Sequence, residues 1–261
     1  LKIPAMGMFS KIFKTNNKID LISIQERLLD LFMQNLNHNL KSADTANKTK
    51  VITLFSTQKN EGKTVIAKNI ARKLKHAGKS VLVLNHSHLN KPEISSNQFT
   101  LLHRLLGYQD PRIDYNHPFL AHQSDYLSES ESMSYKVDEA YFNAKTYNDL
   151  TIKGVKVPTQ HPDYVIIEMP NILDTNYPAD LIVSSNLALL VCRSNRLWSK
   201  ADENLLNNIK EIVSSSLQFI INGVELDEVE ALLGELPKQR SNFRKRIKNI
   251  LRFQFYTKSH I

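Results

Sequence analysis

Ser56-Thr57-Gln58-Lys59-Asn60-Glu61-Gly62-Lys63-Thr64 joins an apolar run (Val51, Ile52, Leu54, Phe55) to a segment of helical periodicity. A turn in that place can wrap its backbone N–H groups around phosphate oxygens at a helix N-terminus, while a lysine neutralises the outer phosphates and a hydroxyl reaches Mg²⁺. Asn60, Glu61 and Gly62 are the residues expected to cradle phosphates through their backbone, Lys63 to neutralise them and Thr64 to meet the metal. Val65 stands next to them in the nucleotide-contacting set. The full loop pattern opens with Gly, and Thr57 occupies that position. Gly-Lys-Thr by itself says little; its setting between strand and helix gives it meaning, as does Asn60 where a positive φ is wanted, since Asn tolerates that region best among non-glycine residues. The competing reading is an ordinary strand-to-helix turn with a surface lysine.

The elements that must hold this turn follow from periodicity. Strand 51–55, the loop, a helix from about Lys63 to Ala77 closed by Gly78, and a strand from Val81 to Leu84 form a βαβ unit. Asp163 to Glu168 and Leu187 to Cys192 are continuous apolar runs, as parallel strands covered on both faces require, and Phe219 to Ile221 is another. Helices are expected over 176–184 and 199–213. An amphipathic helix capped by Asp20 should precede the first strand, with Ile24, Leu28, Leu31, Phe32 and Leu36 on its apolar face. The predicted fold is therefore α/β: a doubly wound, mainly parallel sheet with helices on both faces, P-loop NTPase-like, its crevice at the C-terminal ends of the strands. The polar stretch 107–160 shows no sustained period and carries the exposed loop Ser128 to Ser134; it is expected to decorate one edge of the sheet. The division expected is 1–49 (amphipathic helix and linker), 50–240 (the nucleotide domain) and 241–261 (a basic amphipathic tail).

Length and composition agree with one large domain: 261 residues, 41% hydrophobic. Much of the net charge of +8 is local. From Lys238 onward Lys238, Arg240, Arg244, Lys245, Arg246, Lys248, Arg252 and Lys258 meet no acidic residue. The single cysteine, Cys192, excludes an intrachain disulfide and is expected as a buried thiol in a reducing compartment. No apolar run approaches the roughly 20 residues of a spanning helix. The start lacks both an initiator methionine and a secretion-signal layout, so the chain reads as a piece of a longer protein.

Strand two ends as Asn85-His86-Ser87-His88-Leu89-Asn90-Lys91-Pro92, and a later strand as Val165-Ile-Ile-Glu168-Met169-Pro170. Together with the loop these resemble the bacterial tyrosine kinases of the polysaccharide co-polymerase type (Wzc-like). There the second element ends in Asp-x-Asp ahead of a Leu-Arg-Arg/Lys-Pro-like segment, and the third in Asp followed by Thr-Pro-Pro. Leu1 to Gly7 is similar to the segment after the family's second membrane helix, and Leu236-Pro237-Lys238-Gln239-Arg240 to its usual ending. The likeness spans the chain except about 109–160. MinD- and ParA-type ATPases place a signature lysine where Gln58 stands, with Lys59 one step out of register, which favours the kinase branch. The resemblance implies ATP or ADP with Mg²⁺, Lys63 and Thr64 in their loop roles, Glu168 as second metal contact, Asn85 and Ser87 at the vacated catalytic positions, and Asn222 against the adenine ring. The residue-level alternative for Asn222 is a turn cap before Gly223.

The departures bear on chemistry. Phosphoryl transfer needs carboxylates on Mg²⁺ and one near the attacking hydroxyl. Asn85 and Ser87 replace both aspartates of the second element, and Glu168 keeps the third charge on an arm one methylene longer. Binding is expected to survive where turnover does not. The register of the family's Glu-x-x-Arg-x-x-Arg ring pattern reads Arg27, Asp30, Met33, which puts ring contacts in doubt, and after Arg240 only Tyr256 remains of a tyrosine-rich tail. The expected function is a nucleotide-binding regulatory domain of a membrane exopolysaccharide or capsule co-polymerase, at the cytoplasmic face of the inner membrane, with weak or no kinase activity. An active tyrosine autokinase and a MinD/ParA-type ATPase are the alternatives. The expected partners are nucleotide, the polysaccharide export and polymerisation machinery and a second copy of the domain. Residues 241–255 place Phe243, Ile247, Ile250 and Leu251 on one helical face and basic residues toward the other, suiting either an anionic membrane surface or packing on the core. No nucleic-acid recognition motif accompanies the charge. His86 and His88 are expected as solvated loop histidines rather than metal ligands.

Overall fold

The computed structural model describes residues 5–12, 20–41, 49–86, 119, 131–151, 161–213, 217–234 and 236. Ser87, His88 and the tail 241–255, on which three of the expectations fall, lie outside them.

Among the described residues seven strands form one sheet: β1 (Ala5–Ser10), β2 (Lys50–Ser56), β3 (Val81–His86), β4 (Ser132–Tyr135), β5 (Tyr164–Asn171), β6 (Leu187–Arg193) and β7 (Leu217–Val224). Their spatial order is β1-β7-β6-β2-β5-β3-β4, and every pairing is parallel. β2 lies at the centre, where Val51, Ile52, Leu54 and Phe55 supply the apolar side chains that burial on both faces selects, and the buried Thr53 hydroxyl meets the Ser185 hydroxyl (3.3 Å). α1 (Leu21–Lys41), α2 (Lys63–His76) and α6 (Leu226–Leu233) cover one face. α4 (Ala179–Ser184) and α5 (Lys200–Ile212) cover the other, with the single-turn helix α3 (Glu139–Phe142) and a 3₁₀ turn, Tyr147–Leu150, beside them. This is the doubly wound α/β fold that the alternation predicts.

α1 shows how pattern becomes packing. Leu21, Ile24, Leu28, Phe32, Leu36 and Leu40 recur at three- and four-residue spacing and are all buried, against β1 and α2. Leu31, expected on this face, is turned to solvent. The Asp20 carboxylate accepts from the Ser23 N–H (3.2 Å) and hydroxyl (2.9 Å), which ties down the start of the helix. Glu26 and Asp30 on its other side take Arg72 and Lys73 of α2 at 2.5–2.8 Å. α2 ends where Gly78 adopts φ 73° and Lys79 N–H reaches back to the Leu74 carbonyl (3.0 Å).

Two strands lie where the sequence shows no clear period. β1 pairs with β7 at one edge, and β4 pairs with β3 at the other, so part of the polar stretch 107–160 does extend an edge of the sheet. Among the described residues no helix is long and apolar enough to cross a membrane.

Candidate nucleotide-binding site

The turn between β2 and α2 carries the site. Asn60 has φ 61° and Gly62, the N-cap of α2, φ 97°. Asn60 is the one non-glycine residue with positive φ among those described, at the position where its type leads one to expect it. A Cβ on Gly62 would lie 2.2 Å from the Asn222 amide nitrogen, so both φ and space require glycine. Gly62→Ala should cost about 1–3 kcal/mol in backbone strain and about 1 kcal/mol for the displaced Asn222 bond. Urea unfolding checks this: an Asn222→Ala background should relieve only the second part, and full relief would show that φ imposes no strain.

Lys63 is the first residue of α2 and is 7% exposed. Its Nζ donates to the Ser56 hydroxyl (2.6 Å), which donates to the Gln58 carbonyl (2.5 Å), so the lysine is folded along the inside of the loop. Burial holds its pKa below the ordinary lysine value, against the opposite pull of Glu168 and Glu61. Thr64 Oγ1 donates to Glu168 Oε1 at 2.5 Å, which unites the two residues expected on Mg²⁺. Glu168 is 4% exposed on β5, between Leu54 of β2 and Asn85 of β3 as its register partners.

Strand alternation settles which face each residue serves. Val81 and Val83 pack in the core shared with α2, and Asn85, two further on, continues that face. Leu82 and Leu84 belong to the opposite core, and His86 follows them, its ring 6.5 Å from Tyr135. His86 is therefore the last residue of β3, half buried, rather than the loop histidine expected. Asn85 Nδ2 donates to Ser132 Oγ (3.2 Å), and its buried Oδ1 has no hydrogen-bond partner. Tyr135 Oη donates to the Glu168 carbonyl (2.7 Å), tying the strand at the level of the acid.

These oxygens fit magnesium bound together with phosphate. Mg²⁺ takes hard oxygen donors and typically one or two carboxylates plus substrate phosphates. Thr64 and Glu168 supply a hydroxyl and a carboxylate, and Asn85 Oδ1 a neutral oxygen beside them. Among the described residues no cluster of three or more His, Cys, Asp or Glu could hold a metal without such a ligand.

Asn222 and the Glu61 side chain brace the loop from outside. Asn222 Nδ2 donates to the Glu61 carbonyl (2.9 Å) and so braces the loop from β7. The Glu61 side chain, 2% exposed, pairs with Arg196 Nε (2.7 Å) and accepts the Arg193 N–H. Lys59, the residue one step off the MinD-type register, pairs with Asp174 at 2.8 Å on the surface.

Arg196 was not legible as a site residue. It also donates to Thr57 Oγ1 (2.7 Å) and Asp202 Oδ1 (2.9 Å), and only Thr57 in place of the loop's usual first Gly hinted at a partner. Burial alone would raise the Asp202 carboxyl; hydrogen bonds from Thr57, Ser199 and Arg196 outweigh it and hold the pKa well below the usual range. Asp202 therefore contributes stability that is present above its unfolded value, about 3.9, and is lost as pH falls below it. Burial pushes the Glu61 carboxyl up, so its contribution has the opposite sign. Asp202→Asn should flatten the acid limb of a stability-versus-pH curve below about pH 4; a limb of unchanged steepness would contradict this. Cys192 is buried, as expected, and burial, with Glu61 nearby, pushes its thiol up to about 12.

No protein-family model matches the chain, and no curated protein matches it. Among solved structures it is similar to the kinase domain of the Escherichia coli tyrosine kinase ETK, with 14% identity, TM-score 0.48, and 85% of this chain and 91% of that one covered. It is also similar to the BceF tyrosine kinase domain (17%, TM-score 0.47, 85% and 94% covered) and to the chimerical protein CapA2B2 (14%, TM-score 0.44, 86% and 96% covered). At 14–17% identity no residue role passes from these structures to this chain.

Proposed function

We propose that this chain is the nucleotide-binding regulatory domain of a membrane exopolysaccharide or capsule co-polymerase, built like a bacterial tyrosine kinase and with little or no kinase activity. The observation that carries the reading is the contact between Thr64 of α2 and Glu168 of β5, beside Asn85 and next to the buried Lys63. Lys63 and the loop amides neutralise and orient a triphosphate; Thr64 and Glu168 hold Mg²⁺, which would supply charge neutralisation between the phosphates. The proton of an attacking hydroxyl has no acceptor in Asn85, since an amide is not a base at neutral pH. Ser87 is no better. Nucleotide state would then act as a signal to the polymerisation machinery or to a second copy of the domain, with the basic tail 241–255 at the anionic inner face of the membrane.

Labelled ATP separates this reading from the active-kinase alternative. Incubated with the domain and a tyrosine peptide, with Mg²⁺ or Mn²⁺, it should leave no phosphotyrosine above the Lys63→Met background. Phosphotyrosine that depends on Lys63 would establish the kinase instead.

A further inference from the structure

We propose that Arg196 is a positioning residue that holds the phosphate loop in its gripping shape before any ligand arrives, an inference that rests on the nucleotide-binding reading above. One guanidinium reaches three anchors: it donates to Thr57 Oγ1 at 2.7 Å and Asp202 Oδ1 at 2.9 Å, and its Nε forms an ion pair with Glu61 Oε1 at 2.7 Å. Thr57 and Glu61 are the two shoulders of the turn, and Asp202 belongs to α5, outside it. Arg196 is thus a strut between the loop and a helix on the opposite face of the sheet.

The outer end of the strut is fixed. Asp202 Oδ2 accepts from the Ser199 N–H (2.9 Å) and hydroxyl (2.7 Å), and Ser199 Oγ accepts the Asp202 N–H, a capping box that locks the first turn of α5. The inner end is fixed twice more, by the Arg193 N–H on Glu61 Oε2 and by Asn222 on the Glu61 carbonyl. Thr57 acquires a reason here. Glycine at that position has no hydroxyl for Arg196 to meet, so the departure from the usual loop pattern and the arginine form one device.

The consequence for binding is preorganisation. A loop that must be ordered by its ligand spends part of the interaction on ordering, whereas a loop already braced does not. Lysine cannot replace the strut: a single ammonium lacks the fork that donates to Thr57 and Asp202 in fixed directions while its charge lies against Glu61. The chain's only tryptophan, Trp198, lies with its ring centroid 5.1 Å from Arg196 Cζ, which makes its emission an optical reporter of the guanidinium.

Hydrogen exchange on the ligand-free domain tests the strut without assuming that nucleotide binds. In Arg196→Lys, amides 57–62 should exchange at least about tenfold faster while β5 exchanges as in wild type, Trp198 emission should shift, and the ATP dissociation constant should rise about tenfold or more, the scale of breaking one hydrogen-bonded charge contact. Unchanged exchange in the loop overturns the proposal. So does faster loop exchange with ATP affinity within about twofold of wild type, which would make Arg196 a brace for the fold alone. If exchange rises across the whole sheet, Thr57→Val decides, because it leaves the guanidinium and both carboxylates in place: acceleration confined to the loop supports the strut, and none refutes it. A wild-type domain that fails to bind ATP removes the nucleotide reading, while the loop exchange still decides whether Arg196 braces the turn.

Discussion

Lys63→Met is expected to weaken ATP binding by roughly 10- to 150-fold, the worth of a hydrogen bond to a charged group, and to leave the fold as stable as before. Both halves follow from the same geometry. The ammonium is nearly enclosed, rests on the Ser56 hydroxyl, and is held below its ordinary pKa by burial. In the ligand-free domain it is a charge short of solvent, and an apolar chain of similar length removes that cost. A triphosphate would add counter-charge to the partial compensation from Glu168 and Glu61, and methionine can offer it nothing. Calorimetry and thermal unfolding on the same samples check the pair: retained affinity, or lost affinity caused only by unfolding, contradicts this account of the loop.

The second large effect is a gain. Asn85→Asp with Ser87→Asp should raise ATP turnover or autophosphorylation by about 10²- to 10⁴-fold, the usual contribution of a general base. Asn85 already stands next to Glu168 in register, on the face that carries α2, so the introduced carboxylate needs no new backbone path. It also brings two like charges together across neighbouring strands. The double variant should therefore be less stable than wild type without Mg²⁺ and gain more stability on its addition. A release assay for phosphate, run beside thermal unfolding at several Mg²⁺ concentrations, reads both. Turnover unchanged from wild type would mean that the replaced positions are not what silences the site.

The parts of the fold that the sequence reveals are those written in one local period. β5 and β6 carry continuous apolar runs, and β2 a nearly continuous one broken by Thr53, because both faces are covered, and α2 is bounded by a Gly-Lys-Thr start and a Gly78 stop; each lies within a few residues of its expected place. Asn60 and Gly62 were legible because a positive φ restricts residue type so strongly. β1 and β4 were not. Met6 and Phe9 of β1, and Met133 and Tyr135 of β4, are buried among residues half exposed or polar, and edge strands of four to six residues leave too short a pattern to read. Leu31 was misplaced because a helix face read as a list of apolar residues is wider than the stripe its neighbours can cover.

The same limit applies at the site. Lys63, Thr64, Glu168 and Asn85 come from motifs whose roles depend on position within a strand or turn, and the structure brings all four to one face. Glu61, Arg196 and Asp202 are joined across 135 and 6 positions of chain, through contacts that no spacing rule describes. Asn222 illustrates the intermediate case: its strand end was legible, while the Glu61 carbonyl that it meets depends on how β7 and the loop approach each other.

The turn ahead of α2 is expected to grip a triphosphate although the carboxylates of the second element, which would complete the chemistry, are replaced by Asn85 and Ser87. Calorimetric titration of ATP into the domain, with and without Mg²⁺, tests it most directly. Saturable one-to-one binding that Mg²⁺ strengthens, and that Lys63→Met loses, is the predicted result. No saturable heat at any Mg²⁺ concentration, from a domain whose unfolding transition is intact, would contradict it.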